Sequence, residues 1–163
     1  MAETLAVCYL ETPLGTLRVS GSLAGIRAVE FLDEAPPALP EEPLPAVLTA
    51  CVQQLREYFA GQRRSFEVPL DLRGTPFQLR VWGLLQHIPF GETRTYLDLA
   101  LALGDPKAVR AVGAANGQNP VPIIVPCHRV IGQDGQLVGY GGGLWRKEWL
   151  LAHEGRPIQA RLF

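Results

Sequence analysis

No apolar run in the 163-residue chain reaches the length a membrane-spanning helix needs, about 18 residues or more. The opening MAETLAVCYL has neither a basic leading segment nor a long hydrophobic stretch. No secretory signal is therefore expected, and the chain is read as cytoplasmic. Cysteine is scarce. Cys8, Cys51 and Cys127 form an odd set without CxxC spacing, which argues against a disulfide framework and against a cysteine zinc cluster. They are read as reduced thiols, and no metal site is expected. Internal repeats and long low-complexity tracts are also absent. Charge of one sign is not in excess, since 15 Lys and Arg face 16 Asp and Glu for a net −1. Charge alone does not mark a strongly basic nucleic-acid binder. What is present is a composition 47% hydrophobic, enough for one domain or two small ones with packed cores.

The two parts of the chain differ in charge. Residues 1 to 70 hold five Arg against nine acids, a sum of −4, whereas 71 to 163 hold ten Lys and Arg against seven acids, a sum of +3. The second part is thus free to face a polyanion.

In the first part, LAVCYLE and GTLRVSG flank Thr12-Pro13-Leu14-Gly15, a Pro- and Gly-containing turn, and GIRAVEFL continues with partial apolar-polar alternation. This predicts a small antiparallel sheet. The stretch DEAPPALPEEPLP, residues 33–45, carries five prolines and four acids and reads as a loop or linker. Val47, Cys51, Val52, Leu55, Tyr58 and Phe59 recur at helical spacing before Gly61, predicting a helix on the sheet. Cys8 and Cys51 fall in these apolar periodic contexts, so both are expected in the core.

From residue 74 helix-start signals dominate. Thr75-Pro76-Phe77-Gln78 combines a capping hydroxyl, a proline at the first helical position and a Gln three residues after the cap. Thr95-Tyr96-Leu97-Asp98 repeats the pattern, and Asp105-Pro106 opens a further helix after Gly104. Two short helices with a tight turn fit a helix-turn-helix, although such pairs also occur in plain helical packing. In QNPVPIIVPCHRV the prolines 120, 122 and 126 stop the helix, and Ile123-Ile124-Val125 predicts a buried extended segment that delivers Cys127 to the interior. Asp134-Gly135 reads as a hairpin-like reversal. LWRKEWLLAHEG reads as a short helix with Trp145, Trp149 and Leu150 on one face and Gly155 closing it.

A nucleophilic cysteine acts as its thiolate and needs a neighbour that takes the proton. His128 is adjacent, but neighbouring side chains of an extended segment point apart, so a bridging water and a carboxylate behind the imidazole are required. Glu154 is the candidate. An acid in a helix's last turn opposes the macrodipole at a cost of roughly 0.3 to 1 kcal/mol, which suits a residue with a task; the alternative is a solvated helix end.

Pro126-Cys127-His128-Arg129-Val130, preceded by NPVPIIV and followed by GYGGG and KEWLLAHEG, resembles the O6-alkylguanine-DNA alkyltransferases, also called methylated-DNA-protein-cysteine methyltransferases. The resemblance runs from about Gly74 to Gly155, half of the chain, with the elements in the same order. It is consistent with an α+β protein. Residues 1–72 form a small N-terminal antiparallel sheet with a helix, and 73–163 form a mostly helical DNA-binding and alkyl-acceptor domain with a winged-helix-like helix-turn-helix. It implies a single-turnover transferase without cofactor that acts as a monomer on double-stranded DNA containing O6-alkylguanine, and on O4-alkylthymine. Cys127 is then nucleophile and acceptor, His128 its water-mediated base, Glu154 the orienting carboxylate and Asn119 the hinge asparagine. The target nucleotide is flipped through the minor groove into a pocket. Arg110 fills the gap in the base stack, Thr95 and Tyr96 contact DNA, and Tyr96 also assists the leaving guanine. Tyr140 walls the pocket, the carbonyls of Cys127 and Val130 accept from the base, and Gly141 and Gly142 let the backbone approach it.

A conventional cysteine hydrolase and a binding-only damage-recognition protein are the competing readings. Release of product with turnover marks the first, and tight binding with no mass change marks the second. If Arg110, Arg129 or neighbouring basic residues neutralise phosphates, binding to duplex DNA should weaken linearly in a log-log plot against salt. A flat response in a fluorescence-anisotropy titration excludes DNA binding by this face.

Overall fold

The computed structural model describes residues 4–34, 36 and 43–155. Most of the proline- and acid-rich stretch at 33–45 lies outside the described residues. The chain divides into two compact units, one holding the described residues up to Arg73 with Pro120–Ile124, the other Gly74–Asn119 with the described residues from Val125.

In the first unit, β1 (Ala6–Thr12), β2 (Gly15–Ser22) and β3 (Gly25–Leu32) form an antiparallel meander. Its register places Cys8 opposite Val19, Leu10 opposite Leu17 and Val19 opposite Val29. Directly opposed residues share a face. That face is buried, with Cys8, Leu10, Leu17, Val19 and Val29 all withdrawn from solvent. The first turn closes because the Thr12 hydroxyl donates to the Gly15 carbonyl at 2.7 Å and accepts from the Leu14 amide at 3.0 Å. Helix α1 (Ala46–Phe59) lies on β1 and β2 through Leu48, Cys51, Val52, Leu55 and Tyr58. Each such fully buried apolar side chain contributes about 1.5–3 kcal/mol.

The second edge of β3 is not left open. Ile26 donates to Pro69 at 2.8 Å and accepts from Asp71 at 2.9 Å, and Val29 donates to Pro120 at 2.9 Å. Covering an edge strand in this way removes a template for unwanted pairing.

In the second unit, α2 (Pro76–Leu85) starts with the expected capping box on Thr75 and Gln78. Trp82 is buried and donates its indole N–H to the Ala115 carbonyl at 2.8 Å, joining α2 to α4 (Val109–Gly117). Strand β4 (Arg94–Thr95) leads directly into α3 (Tyr96–Ala102), whose capping box is Thr95 and Asp98. Gly104 at φ 78° turns the chain, the Asp105 side chain accepts from Lys107, and a 3₁₀ turn at Pro106–Ala108 leads into α4. Strand β5 (Val130–Ile131) pairs in parallel with β4, Arg94 opposite Val130 and Thr95 opposite Ile131. Helix α5 (Leu144–His153) ends at Glu154, with Gly155 at φ 87°.

Two expectations are corrected. Residues 121–125 turn rather than extend, and Ile123 sits at φ 75° while fully enclosed. Prolines at alternate positions 120, 122 and 126 remove the donors along one side of any strand there, so no ladder forms. The positive φ of a β-branched residue costs of order 1–3 kcal/mol and persists only where packing enforces it. The Asp134-Gly135 reversal is present as expected, with Gly135 donating to Gly132 and Gly132 to Gln136, and β5 pairs with β4. Finally, the buried face of α5 is Arg146, Lys147, Leu150 and Leu151, while Trp145 is 53% exposed.

The Thr75 cap is separate from the cysteine segment, so Thr75→Ala should lower the urea-unfolding free energy by about 1 kcal/mol. No change in that free energy would mean the cap is replaced by solvent.

Candidate active site around Cys127

Cys127, His128 and Arg129 form a single 3₁₀ turn. With about three residues per turn, successive side chains leave the axis roughly a third of a rotation apart, not on opposite sides as an extended segment would place them. All three are buried. The backbone is held by the Cys127 amide donating to Val125 at 2.8 Å and the Arg129 amide donating to Pro126 at 3.0 Å. Two asparagines at the end of α4 add to this: Asn116 Nδ2 donates to the Cys127 carbonyl at 3.3 Å and Asn119 Nδ2 to the Val125 carbonyl at 2.7 Å. The Val130 amide also donates to the Cys127 carbonyl.

The thiol is 5% exposed. Burial pushes its pKa up, opposed by hydrogen bonding from the Asn119 and Tyr140 side chains and by the Lys147 charge. Burial thus favours the protonated thiol. Cys51 differs: burial, reinforced by Cys8, drives it to about 12, so it is an inert core group. Cys8 is likewise buried and raised by desolvation. The core placement expected for both is found.

Behind the thiol lies a closed polar cluster. His128 Nε2 lies 2.8 Å from Glu154 Oε2, Arg129 Nε donates to Oε1 at 2.7 Å, and Arg129 Nη2 donates to Oε2 at 2.9 Å. Arg129 Nη1 donates to the Ile88 carbonyl at 2.6 Å, and the guanidinium lies 5.8 Å from the Phe90 ring centroid. Burial opposes ionisation of Glu154, yet the His128 and Arg129 contacts outweigh it and hold the carboxyl well below its usual range. His128 is pushed down by burial, against the pull of Glu154, which favours the uncharged ring. A neutral imidazole facing an ionised carboxylate donates from Nε2, which leaves Nδ1 as the acceptor. Nδ1 is buried and makes no hydrogen bond among the described residues.

Over the thiol runs the loop before α5. Tyr96 donates its hydroxyl to the Val138 carbonyl at 2.9 Å, and desolvation raises its pKa, followed by the effect of Cys127, so it remains a donor. Lys147, fully buried, donates to Val138 at 3.3 Å and Gly139 at 3.2 Å and lies 5.8 Å from the Tyr96 ring centroid. Arg146 donates to the Gly142 carbonyl at 2.9 Å. Glycine is demanded at Gly143, at φ 92°, where a Cβ would stand 3.3 Å from the Trp145 ring. Gly141 is different, since its nearest neighbour to an added Cβ is at an ordinary 3.7 Å.

The structure therefore gathers Cys127, His128, Glu154, Asn119, Tyr96 and Tyr140 in one unit, with Val130, Gly141 and Gly142 on adjoining backbone. Arg110 is exposed on α4 and stands outside that cluster. The Thr95 hydroxyl is engaged in capping α3, accepting from Asp98 at 3.0 Å. Arg129 is corrected: it is enclosed against Glu154 and cannot meet a phosphate. Lys147 and Asn116 were missed. Lys147, Leu150, Leu151 and Glu154 follow the i, i+3, i+4, i+7 spacing of one helix face, a signal hidden by treating a lysine as solvated. Among the described residues, no group of three or more His, Cys, Asp and Glu is arranged to hold a metal, and no helix is long and apolar enough to cross a membrane.

The chain is also similar to known proteins. Residues 76–156 match the 6-O-methylguanine DNA methyltransferase DNA binding domain, and residues 6–72 match the ribonuclease-like domain of the same proteins. A methylated-DNA–protein-cysteine methyltransferase of Mycolicibacterium paratuberculosis is 49% identical over 156 residues, 94% of each chain. That of Methanosarcina acetivorans is 47% identical, covering 89% of this chain and 95% of its own. A crystal structure of Mycobacterium tuberculosis OGT in complex with DNA superposes with a TM-score of 0.82 at 47% identity, covering 91% of this chain and 92% of that one. The chain belongs to the methylated-DNA–protein-cysteine methyltransferase family.

Both shifted groups destabilise the fold in acid. The depressed His128 contributes stability that is present above its unfolded value of about 6.5 and is lost as pH falls. Glu154, also depressed, adds a loss of the same sign below its unfolded value of about 4.3. Urea midpoints should hold steady from neutral to mildly basic pH and decline below about pH 6.5. His128→Gln should remove the upper part of that decline; an unchanged profile would mean that His128 titrates normally.

Proposed function

We propose that this protein repairs DNA by transferring the alkyl group of O6-alkylguanine, and of O4-alkylthymine, to the sulfur of Cys127, once per molecule. The observation that carries this reading is the buried Cys127 thiol followed directly by a buried imidazole whose Nε2 lies 2.8 Å from the Glu154 carboxylate. His128 Nδ1 takes the thiol proton through one water. The sulfur lone pair forms the S–C bond, the C–O6 bond breaks, and its electron pair stays on the guanine. Tyr96 hydrogen-bonds the ring as charge develops there, and in the net balance the thiol proton ends on the released guanine. A thioether has no hydrolysable acyl bond, so the protein is consumed, whereas a cysteine hydrolase would turn over.

DNA engagement follows the helix-turn-helix. The exposed Arg110 on α4 supports a role for that helix in the minor groove, with its side chain in the gap left by the flipped nucleotide. Thr95 and Tyr96 stand at the start of α3, where β4 ends, and are assigned the flanking backbone. The carbonyls of Cys127 and Val130 receive the guanine amino group, with Tyr140, Gly141 and Gly142 lining the pocket. The protein acts as a monomer in the cytoplasm and uses no metal or cofactor.

Incubation with duplex DNA carrying O6-methylguanine should raise the intact mass by one CH₂, located by peptide mapping to Cys127. Cys127→Ala should take up none, and His128→Gln should slow single-turnover transfer by about 10²–10⁴-fold, the usual worth of a general base. Lesion loss with unmodified protein, or repeated turnover, refutes the reading.

A further inference from the structure

The reading above uses Glu154 to orient His128, but Glu154 does not serve His128 alone. Arg129 contacts both carboxylate oxygens, Nε to Oε1 at 2.7 Å and Nη2 to Oε2 at 2.9 Å, and Oε2 is the same oxygen that His128 Nε2 meets at 2.8 Å. Its remaining Nη1 is held by the Ile88 carbonyl at 2.6 Å. The side chains of His128, Glu154 and Arg129 are 0%, 1% and 7% exposed, so solvent does not relieve the Glu154 and Arg129 charges or hydrate the ring. We propose that Arg129 is a positioning residue for alkyl transfer: by neutralising and clamping Glu154, it keeps His128 an uncharged acceptor rather than the cationic half of a buried ion pair.

The physics is a choice between two neutral arrangements. A lone carboxylate beside an imidazole in a dry interior draws a proton onto the ring, because Glu⁻ with His⁺ is preferred to an uncompensated anion. A protonated imidazole has no lone pair at Nδ1 and takes no proton from the thiol. With Arg129 already on the carboxylate, a proton on His128 would leave the cluster with a net positive charge. The other groups around His128 reinforce this. Its own turn supplies the Cys127 thiol and Arg129, α5 supplies Glu154 and the Lys147 cation, and the buried residues of α2 are uncharged Val81, Trp82 and Leu85. Burial together with the Arg129 and Lys147 charges lowers the affinity of His128 for a proton. The bidentate geometry adds an orienting effect, since a carboxylate gripped at both oxygens has no freedom to rotate away from the ring.

This inference rests on Cys127 being the alkyl acceptor, and two measurements separate its failure from failure of that assignment. The first is single-turnover transfer from O6-methylguanine DNA as a function of pH in the wild type, Arg129→Lys and Arg129→Gln, each checked for folding by circular dichroism. Arg129→Gln should move the midpoint of the base limb up by about one pH unit or more, so that the rate on the acid side of the wild-type midpoint drops about tenfold while the high-pH plateau recovers. Arg129→Lys, which keeps the charge, should keep a midpoint near that of the wild type. A uniform loss of rate at every pH with an unmoved midpoint would show a merely structural role and overturn the proposal. The second is titration of the His128 ring by NMR, which needs no DNA and no reaction. In the wild type the ring should stay neutral at about pH 6, below the ordinary histidine midpoint. A wild-type ring protonated there overturns the proposal even if Arg129→Gln does not fold. If no mass reaches Cys127 in the wild type, the alkyl-acceptor reading falls, while the ring titration still decides what Arg129 does to His128.

Discussion

The buried carboxylate of Glu154 is the interaction on which the rest of the second unit depends. It is held by Arg129 and His128 from the turn that carries the thiol, and it sits where α5 ends. An acid at that place meets an unfavourable helix dipole and loses its hydration, and its ionised state is retained only because charge-assisted hydrogen bonds replace the water. Removing either donor leaves a costly anion, so the residues after Cys127 and the end of α5 have one low-energy relative placement. The thiol inherits that placement without touching Glu154 itself.

Much of the fold could be read directly from local chemistry. The three strands followed from alternation and from the turn at Thr12–Gly15, and the starts of α2 and α3 followed from capping boxes whose side-chain chemistry is local. These signals survive because each is decided within four or five residues. The segment at 120–126 was less legible. Its apolar residues were correctly expected inside, but burial does not distinguish an extended strand from a tight turn, and Ile123 adopts a positive φ that no β-branched residue advertises.

At the candidate site, Cys127, His128 and Glu154 could be singled out because a thiol, an imidazole and a carboxyl are recognisable by their functional groups, and the structure buries all three. Arg129 and Lys147 were not, for one shared reason. A cation in a sequence is read first as a surface charge, and only the fold shows whether an anion or a carbonyl meets it inside. Arg129 was weighed among the cations that could meet phosphate and is instead locked to Glu154, while Lys147 serves the carbonyls of Val138 and Gly139 beside the thiol. The tryptophans of α5 show the converse, since Trp145 is large and apolar yet stands mostly in solvent.

The pairing of β4 with β5 is only two residues long, but it joins the strand that opens the helix-turn-helix to the strand that leaves the cysteine turn. Thr95 belongs to both β4 and the cap of α3, so no slack lies between the ladder and that helix. The start of α3 and the turn that carries Cys127 thereby share a common origin of coordinates. A displacement of the start of α3 is therefore carried directly to the backbone that leaves the cysteine turn.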